Sequence, residues 1–301
     1  MITPQNGIFA QGTHSHYFLE LDIRPGVSAA EALLSLRRLR APDVSAGGVN
    51  FVIAFGADLW RALAPRESPA DLKPFSEIRG ADDKIAPAQQ HAVWIWINGS
   101  TPDVVFEHAR RAWLAIEDVA ILASEQPCFV YRDSRDLTGF LDGTANPEPL
   151  DAPGVALIPT GVPGAGGSHV LVMRWIHDLT AFHGLPLAEQ EAAVGRTKDN
   201  STRFERERMP VSAHVSRVQV NQDGEELAIY RRSVPYGTLR EHGLYFVAFS
   251  ADPTRYDRML GQMFGTNGNG ERDRLTDFSQ AVSGAYYFAP SLTAWRSCAS
   301  R

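Results

Sequence analysis

A chain of 301 residues with 44% hydrophobic and 21% charged side chains has the composition of an ordinary globular protein, long enough for one large domain or two ordinary ones. Its net charge of −6 argues against nucleic acid as the main partner, and no apolar run reaches the roughly 18 residues that a membrane span requires. The start MITPQNGIFAQGTHSHYF lacks a basic stretch followed by an apolar one, so no secretory signal is read. Cys128 and Cys298 lie far apart, outside any CxxC or zinc-like spacing, and read as reduced thiols. A cytoplasmic location is the simplest expectation.

Residues 16–23 (HYFLELDI) alternate and are rich in aromatic and branched side chains, which predicts a strand. Ser28 is placed to cap a helix with Ala29, Ala30, Leu33, Leu34, Leu36 and Leu39 on its apolar face, ended by Gly47-Gly48. Residues 50–55 (NFVIAF) predict a second strand, followed by a short helix through Trp60 and Leu63. Residues 65–87 are polar and proline-punctuated, a long loop around Phe75 and Ile78. Residues 91–97 (HAVWIWI) read as a strand with Trp94 and Trp96 facing one side. Thr101-Pro102-Asp103 opens a long helix, and 128–131 (CFVY) a fourth strand.

Residues 151–167 are rich in Pro and Gly and read as an extended loop. A strong strand follows over 169–179, a helix over 187–194 and a charged surface loop over 198–210. Strands are predicted at 226–230, 243–250 and 285–288, with a helix from Pro253 through Tyr256, Met259, Leu260 and Met263 to Gly265. Strand–helix–strand thus occurs twice in each half, the split βαβ pattern with helices on one face of an antiparallel sheet. The expected fold is α+β: two tandem ferredoxin-like halves, 1–137 and 138–301, packed as one compact unit.

Between the halves lies Gly139-Phe140-Leu141-Asp142-Gly143-Thr144-Ala145-Asn146-Pro147. Glycines on both sides of Asp142 permit positive φ, and the apolar Phe140 and Leu141 tuck the turn against a core. A carboxylate held there is costly unless something uses or pairs it; the plain alternative is an Asx-type turn in which Asp142 caps backbone N–H groups. Nine histidines are present, and none forms HExxH or another zinc pattern.

GFLDGTANP resembles the GxxDG signature of the dye-decolorizing (DyP-type) haem peroxidases, most closely their bacterial B-type. Three further segments match in the same order: SAHVSR at 212–217, YRRSVPYG at 230–237 and DRLTDFS at 273–279. The resemblance covers nearly the whole chain and implies the same two ferredoxin-like halves, with haem b (iron protoporphyrin IX) as cofactor. It makes His214 the proximal iron ligand, a role suited to neutral imidazole. The carboxylate partner of that imidazole is expected to be Asp277, with Asp273 as the alternative. On the opposite haem face it places Asp142, to carry a proton of hydrogen peroxide, and Arg231, to supply fixed positive charge. Arg231 should favour ionised Asp142 and offset the desolvation that raises its pKa.

Further expectations follow for the pocket. Ser233 stands where many B-type relatives have Asn, on the same strand side as Arg231. Leu244 and Phe246 alternate and form either an apolar distal wall or ordinary core. Thr144, Ala145 and Asn146 could offer donors to a haem propionate. The implied activity is reduction of hydrogen peroxide through a ferryl state and oxidation of dyes, phenols or other small one-electron donors. The alternative is a haem-binding, iron-handling protein that uses His214 without needing Asp142 and Arg231. Relatives assemble as dimers to hexamers, so a homo-oligomer is expected. The short segment after the last predicted strand argues against a tail for loading into encapsulin shells.

Overall fold

The computed structural model describes residues 2–39, 48–222, 224–267 and 270–298. The first half runs β1 (Ser15–Ile23), α1 (Ala29–Leu36), β2 (Asn50–Phe55), α2 (Ala57–Leu63), a small hairpin of β3 (Ile78–Arg79) and β4 (Ile85–Ala86), β5 (Val93–Gly99), α3 (Pro102–Leu114) and β6 (Ala120–Phe129). A capping box starts α1: Ser28 Oγ accepts from the Glu31 amide at 3.3 Å while Glu31 Oε2 accepts from the Ser28 amide at 2.8 Å. Pro102 opens α3, where its missing N–H has no intrahelical partner to lose. The predicted break at Gly47 lies outside the described residues.

The second half begins with α4 (Ala152–Ala156), β7 (Ser168–His177), α5 (Leu179–Gly184), α6 (Leu187–Val194) and α7 (His214–Val218). A hairpin of β8 (Asn221–Gln222) and β9 (Glu225–Glu226) leads into β10 (Tyr230–Arg231) and β11 (Val234–Gly237). The half closes with β12 (His242–Ser250), α8 (Thr254–Met263), β13 (Ser279–Ala289) and α9 (Leu292–Cys298).

Both halves are ferredoxin-like. The neighbours run β2-β5-β1-β6 in one and β10-β12-β7-β13 in the other, with β11 also on β12, all antiparallel. A single residue pair, Phe288 with Phe55, joins β13 to β2 and makes one continuous sheet. The sheet doubles over on itself. Period-two alternation sends Phe18, Trp94 and Trp96 to the inner face, where they pack on Tyr245, Val247 and Phe249. Phe18 and Tyr245 stack with ring centroids 4.1 Å apart. On the outer faces, Leu19, Ile53 and Ile95 pack under the first-half helices, and Leu171, Met173 and Trp175 face Tyr256, Leu260 and Phe264.

Glu20 follows the same alternation into the inter-sheet core, where it is 5% exposed. Its carboxylate accepts from the Tyr245 hydroxyl at 3.1 Å and the Tyr287 hydroxyl at 2.7 Å, and Trp94 Nε1 donates to Tyr245 Oη at 3.2 Å. Burial pushes the Glu20 pKa up, against the two phenol hydrogen bonds and the charges of His91 and Arg174. A raised carboxyl pKa gives a contribution that is whole below the unfolded value of about 4.3 and is lost as pH rises through the folded one. Glu20→Gln is therefore expected to be more stable than the wild type at about pH 8, an advantage that shrinks toward about pH 4. Thermal unfolding at both pH values reads this directly.

Several predicted elements take different bounds. β6 is a ten-residue edge strand beginning at Ala120, well before the predicted 128. Its segment LASEQP reads as polar because every second residue faces solvent, and an edge strand tolerates Pro127. The strand expected over 226–230 is reduced to β9 and the two residues of β10, and the loops 65–87 and 151–167 contain the β3–β4 hairpin and α4.

Candidate active site

The outer face of the second-half sheet carries Leu171, Met173 and Trp175 on β7 opposite Ala248, Phe246 and Leu244 on β12. α7, α8 and the turn Arg274–Asp277 cover part of this face and leave a cavity of about 220 Å³. Every residue lining it lies at position 136 or beyond. Leu244 and Phe246 are in the wall, together with Leu260 and Met263 of α8.

His214, the first residue of α7, faces the cavity. Its Nδ1 lies 2.6 Å from Asp273 Oδ2, and Asp273 is fully buried. The other Asp273 oxygen accepts from the Leu275 amide at 2.8 Å. An imidazole that donates from Nδ1 to a carboxylate keeps its lone pair on Nε2, the arrangement a metal-binding histidine uses. The expected partner, Asp277, is corrected: it pairs with Arg272 at 2.7 Å and Lys84 at 3.6 Å instead. Asp273 wins because it caps the short turn with one oxygen and has the other free to reach α7.

Asp142 and Arg231 line the same cavity. Both glycines of the turn that carries the carboxylate have positive φ, +92° at Gly139 and +77° at Gly143, a region L side chains rarely adopt. Asp142 Oδ1 accepts from the Gly143 amide at 2.6 Å. Asn146 then clamps this turn to β10, donating to the Arg231 carbonyl at 2.8 Å and accepting from the Arg231 amide at 2.9 Å. Asn146 also lines the second cavity with its remaining amide N–H, and Ala145 lines the first. Thr144, the third expected donor, is exposed and lines neither cavity.

The Arg231 guanidinium carries a buried Nε without a hydrogen-bond partner. Burial pushes the Asp142 carboxyl up, and Arg231 opposes but does not cancel it; the charge of Asp136 adds to the rise. Arg231 was expected to offset desolvation, and burial outweighs it. Ser233 lines the cavity too, and its Oγ accepts from the Val247 amide at 3.3 Å. Arg232 turns the other way, over the Trp96 ring at 5.2 Å.

A second cavity of about 380 Å³ lies beyond Asp142, Arg231 and Ser233, which line both. Its other walls are more polar and include Thr13, His16, Tyr131 and Arg232. The carboxylate and the guanidinium therefore stand where an apolar slot meets a polar chamber.

The donor set fits haem. Among the described residues no group of three or more His, Cys, Asp or Glu could hold a metal ion; His214 would be the single protein ligand of an iron whose other ligands come from a porphyrin. An apolar slot with one lone-pair imidazole and a guanidinium whose buried Nε lacks a partner suits that group. Among the described residues no helix is long and apolar enough to cross a membrane.

Comparison with known proteins decides the family. Residues 5–129 match the family model for the Dyp-type peroxidase N-terminal part, and residues 133–294 match that for its C-terminal part. The chain is 35% identical over 297 residues to a dye-decolorizing peroxidase of Mycolicibacterium paratuberculosis, covering 95% of this chain and 83% of the relative. The chain belongs to the dye-decolorizing peroxidase family.

Its fold matches that of a dyp-type peroxidase protein from Shewanella oneidensis with a TM-score of 0.92 and 32% identity, over 99% of both chains. A variant of DypB from Rhodococcus jostii RHA1, solved in complex with heme, matches at 0.85 and 31% identity over 95% of each chain. This dye-decolorizing peroxidase is thus an oxidoreductase of a haem-associated family. Three residues of its cavity escape the sequence reading: Asp136, His177 and Ser279 line it together. Their sequence separations of 41 and 102 positions leave no local signal of the contact.

Proposed function

We propose that this peroxidase holds haem b through His214 Nε2 in the 220 Å³ cavity, reduces hydrogen peroxide there and oxidises dyes, phenols or other small one-electron donors. The carrying observation is the pairing of His214 with buried Asp273 at 2.6 Å in a cavity also lined by Arg231, whose buried Nε lacks a hydrogen-bond partner. When bound, the haem iron supplies the two-electron reduction of peroxide and one-electron oxidation of donors.

The chain's own groups do the rest. Asp273 makes the imidazole a stronger ligand by accepting its Nδ1 proton bond. Asp142 accepts the proton of bound hydrogen peroxide at one oxygen and returns it to the other, which becomes the leaving water. Arg231 places fixed positive charge where the departing oxygen gains negative charge, and its burial strengthens that effect. The apolar wall of Leu244 and Phe246 limits water around both groups. A homo-oligomer belongs to the same reading: β6 is an edge strand with Ile121 and Phe129 exposed. Light scattering of a monomer alone would remove that part.

Protein produced with adequate haem is expected to show a Soret band that changes rapidly on adding one equivalent of peroxide. His214→Ala is expected to lose most of its bound haem during purification, read as the ratio of Soret to protein absorbance. Absence of a Soret band from the wild type overturns the proposal. A band that peroxide leaves unchanged favours haem storage or iron handling instead.

A further inference from the structure

Behind the turn that carries Asp142, three side chains from distant parts of the chain form one hydrogen-bonded line. Ser279 Oγ lies 2.7 Å from His177 Nδ1, and His177 Nε2 lies 3.1 Å from Asp136 Oδ1. The other Asp136 oxygen accepts from the Thr138 amide at 2.8 Å and from the Thr138 hydroxyl. The Asp136 amide donates to the Phe140 carbonyl at 2.9 Å, and the Gly139 amide to the Asp136 carbonyl at 2.8 Å. Asp136 is thus the anchor of the turn from which Asp142 projects. All three members line the cavity, and none has a part in the proton transfer described above.

We propose that the Ser279–His177–Asp136 line is a positioning device for Asp142, fixing a second carboxylate at the base of the turn that carries it and on the same cavity wall. The inference rests on Asp142 as the proton-transferring group, and deepens that reading. With Nε2–H donating to Asp136, His177 Nδ1 accepts from the Ser279 hydroxyl, so the imidazole orientation is fixed at both nitrogens. This is the relation an orienting carboxylate, an imidazole and a hydroxyl have in hydrolases. Here the carboxylate is the end that matters, because it shares a turn and a cavity wall with another carboxylate.

The electrostatics agree with the geometry. Burial pushes Asp136 up, but the His177 contact and the two Thr138 hydrogen bonds outweigh it and bring the carboxyl down to about 2. Asp136 is therefore charged wherever the enzyme works. The groups that face Asp142 are Arg231 from β10, His214 from α7 across the cavity and Asp136 from its own turn; Arg231 favours its ionised form, and Asp136 disfavours it. Without Asp136, burial alone would stand against the Arg231 charge. With it, Asp142 remains a base strong enough to take a proton from peroxide and a weak enough acid-binding site to return it.

Infrared difference titration of the haem-loaded enzyme tests this, following the Asp142 carboxyl band defined by its loss in Asp142→Asn. In Asp136→Asn, which keeps the shape but removes the charge, the midpoint of that band is expected to fall by about one pH unit. His177→Leu is expected to move it the same way, and His177→Gln, which can still donate to Asp136, to restore it. A midpoint unchanged in Asp136→Asn overturns the proposal, as does a shift in His177→Gln equal to that in His177→Leu. The outcome is independent of whether Asp142 transfers the proton. If Asp142→Ala reacts with peroxide as fast as the wild type, the base assignment fails while the titration still reports on the line.

Discussion

Replacing Arg231 with leucine is expected to lower the second-order rate of reaction with hydrogen peroxide by about 10²–10³-fold while haem stays bound. The size follows from where the guanidinium sits. Its Nε is buried without a hydrogen-bond partner, and its charge acts on the Asp142 carboxyl of the same cavity. Leucine fills part of the space and removes the charge, so the departing oxygen must carry its developing negative charge unaided. Haem retention should persist because His214 and Asp273 belong to other elements, α7 and the residue before the Arg274–Asp277 turn. Stopped-flow recording of the Soret change measures the rate. An unaltered rate would remove Arg231 from the chemistry and leave it a structural cation.

Asp142→Ala is expected to cost about 10²–10⁴-fold in the same rate, with a change in its pH dependence that Arg231→Leu does not share. Only the ionised carboxyl can accept a proton. Burial raises its pKa first, Arg231 pulls the other way and loses, and Asp136 adds to the rise. The wild-type rate should therefore climb with pH through a midpoint above the ordinary Asp value of about 3.9. Below that midpoint the carboxyl is protonated and idle. In Asp142→Ala this limb should vanish and the residual rate run flat across it. The same raised pKa has a sign for stability: the Asp142 contribution is full below the unfolded value and lost as pH rises through the folded one. Asp142→Asn should then gain stability relative to the wild type at neutral pH while losing activity, the pattern of a group kept for chemistry.

Much of the fold was readable from local pattern. Alternation in HYFLELDI marked β1, the apolar run HAVWIWI marked β5, which is buried throughout, and Ser28 marked the start of α1. β6 was shortened for the opposite reason: as an edge strand it exposes every second residue, and its polar sequence does not announce pairing with β1. At the site, His214, Asp142 and Arg231 were chosen through the family resemblance, and the cavity brings the three together. Sequence could not separate Asp273 from Asp277, which lie four positions apart. The choice depends on which oxygen a capping residue leaves free, a matter of tertiary geometry. The structural duty of Asn146 was equally hidden, since its bonds go to the Arg231 backbone 85 positions away. Glu20 gave no sign of its burial, because a lone acid in an alternating strand usually marks the wet face.

The single rung between Phe55 and Phe288 makes two copies of one architecture behave as a sheet with a crease, yet the residues lining the 220 Å³ cavity all come from one side of that crease. The repeat has thus divided its labour. One copy carries the groups proposed to react, and the other mostly backs it, keeping the inner aromatic layer dry. Random substitutions in the backing copy, away from Thr13 and His16 in the wall of the polar chamber, should surface as lower yield or melting temperature, leaving the turnover of surviving molecules intact. Laboratory evolution of new donors has, by the same token, roughly half of the chain in which to bank stability without touching the reaction.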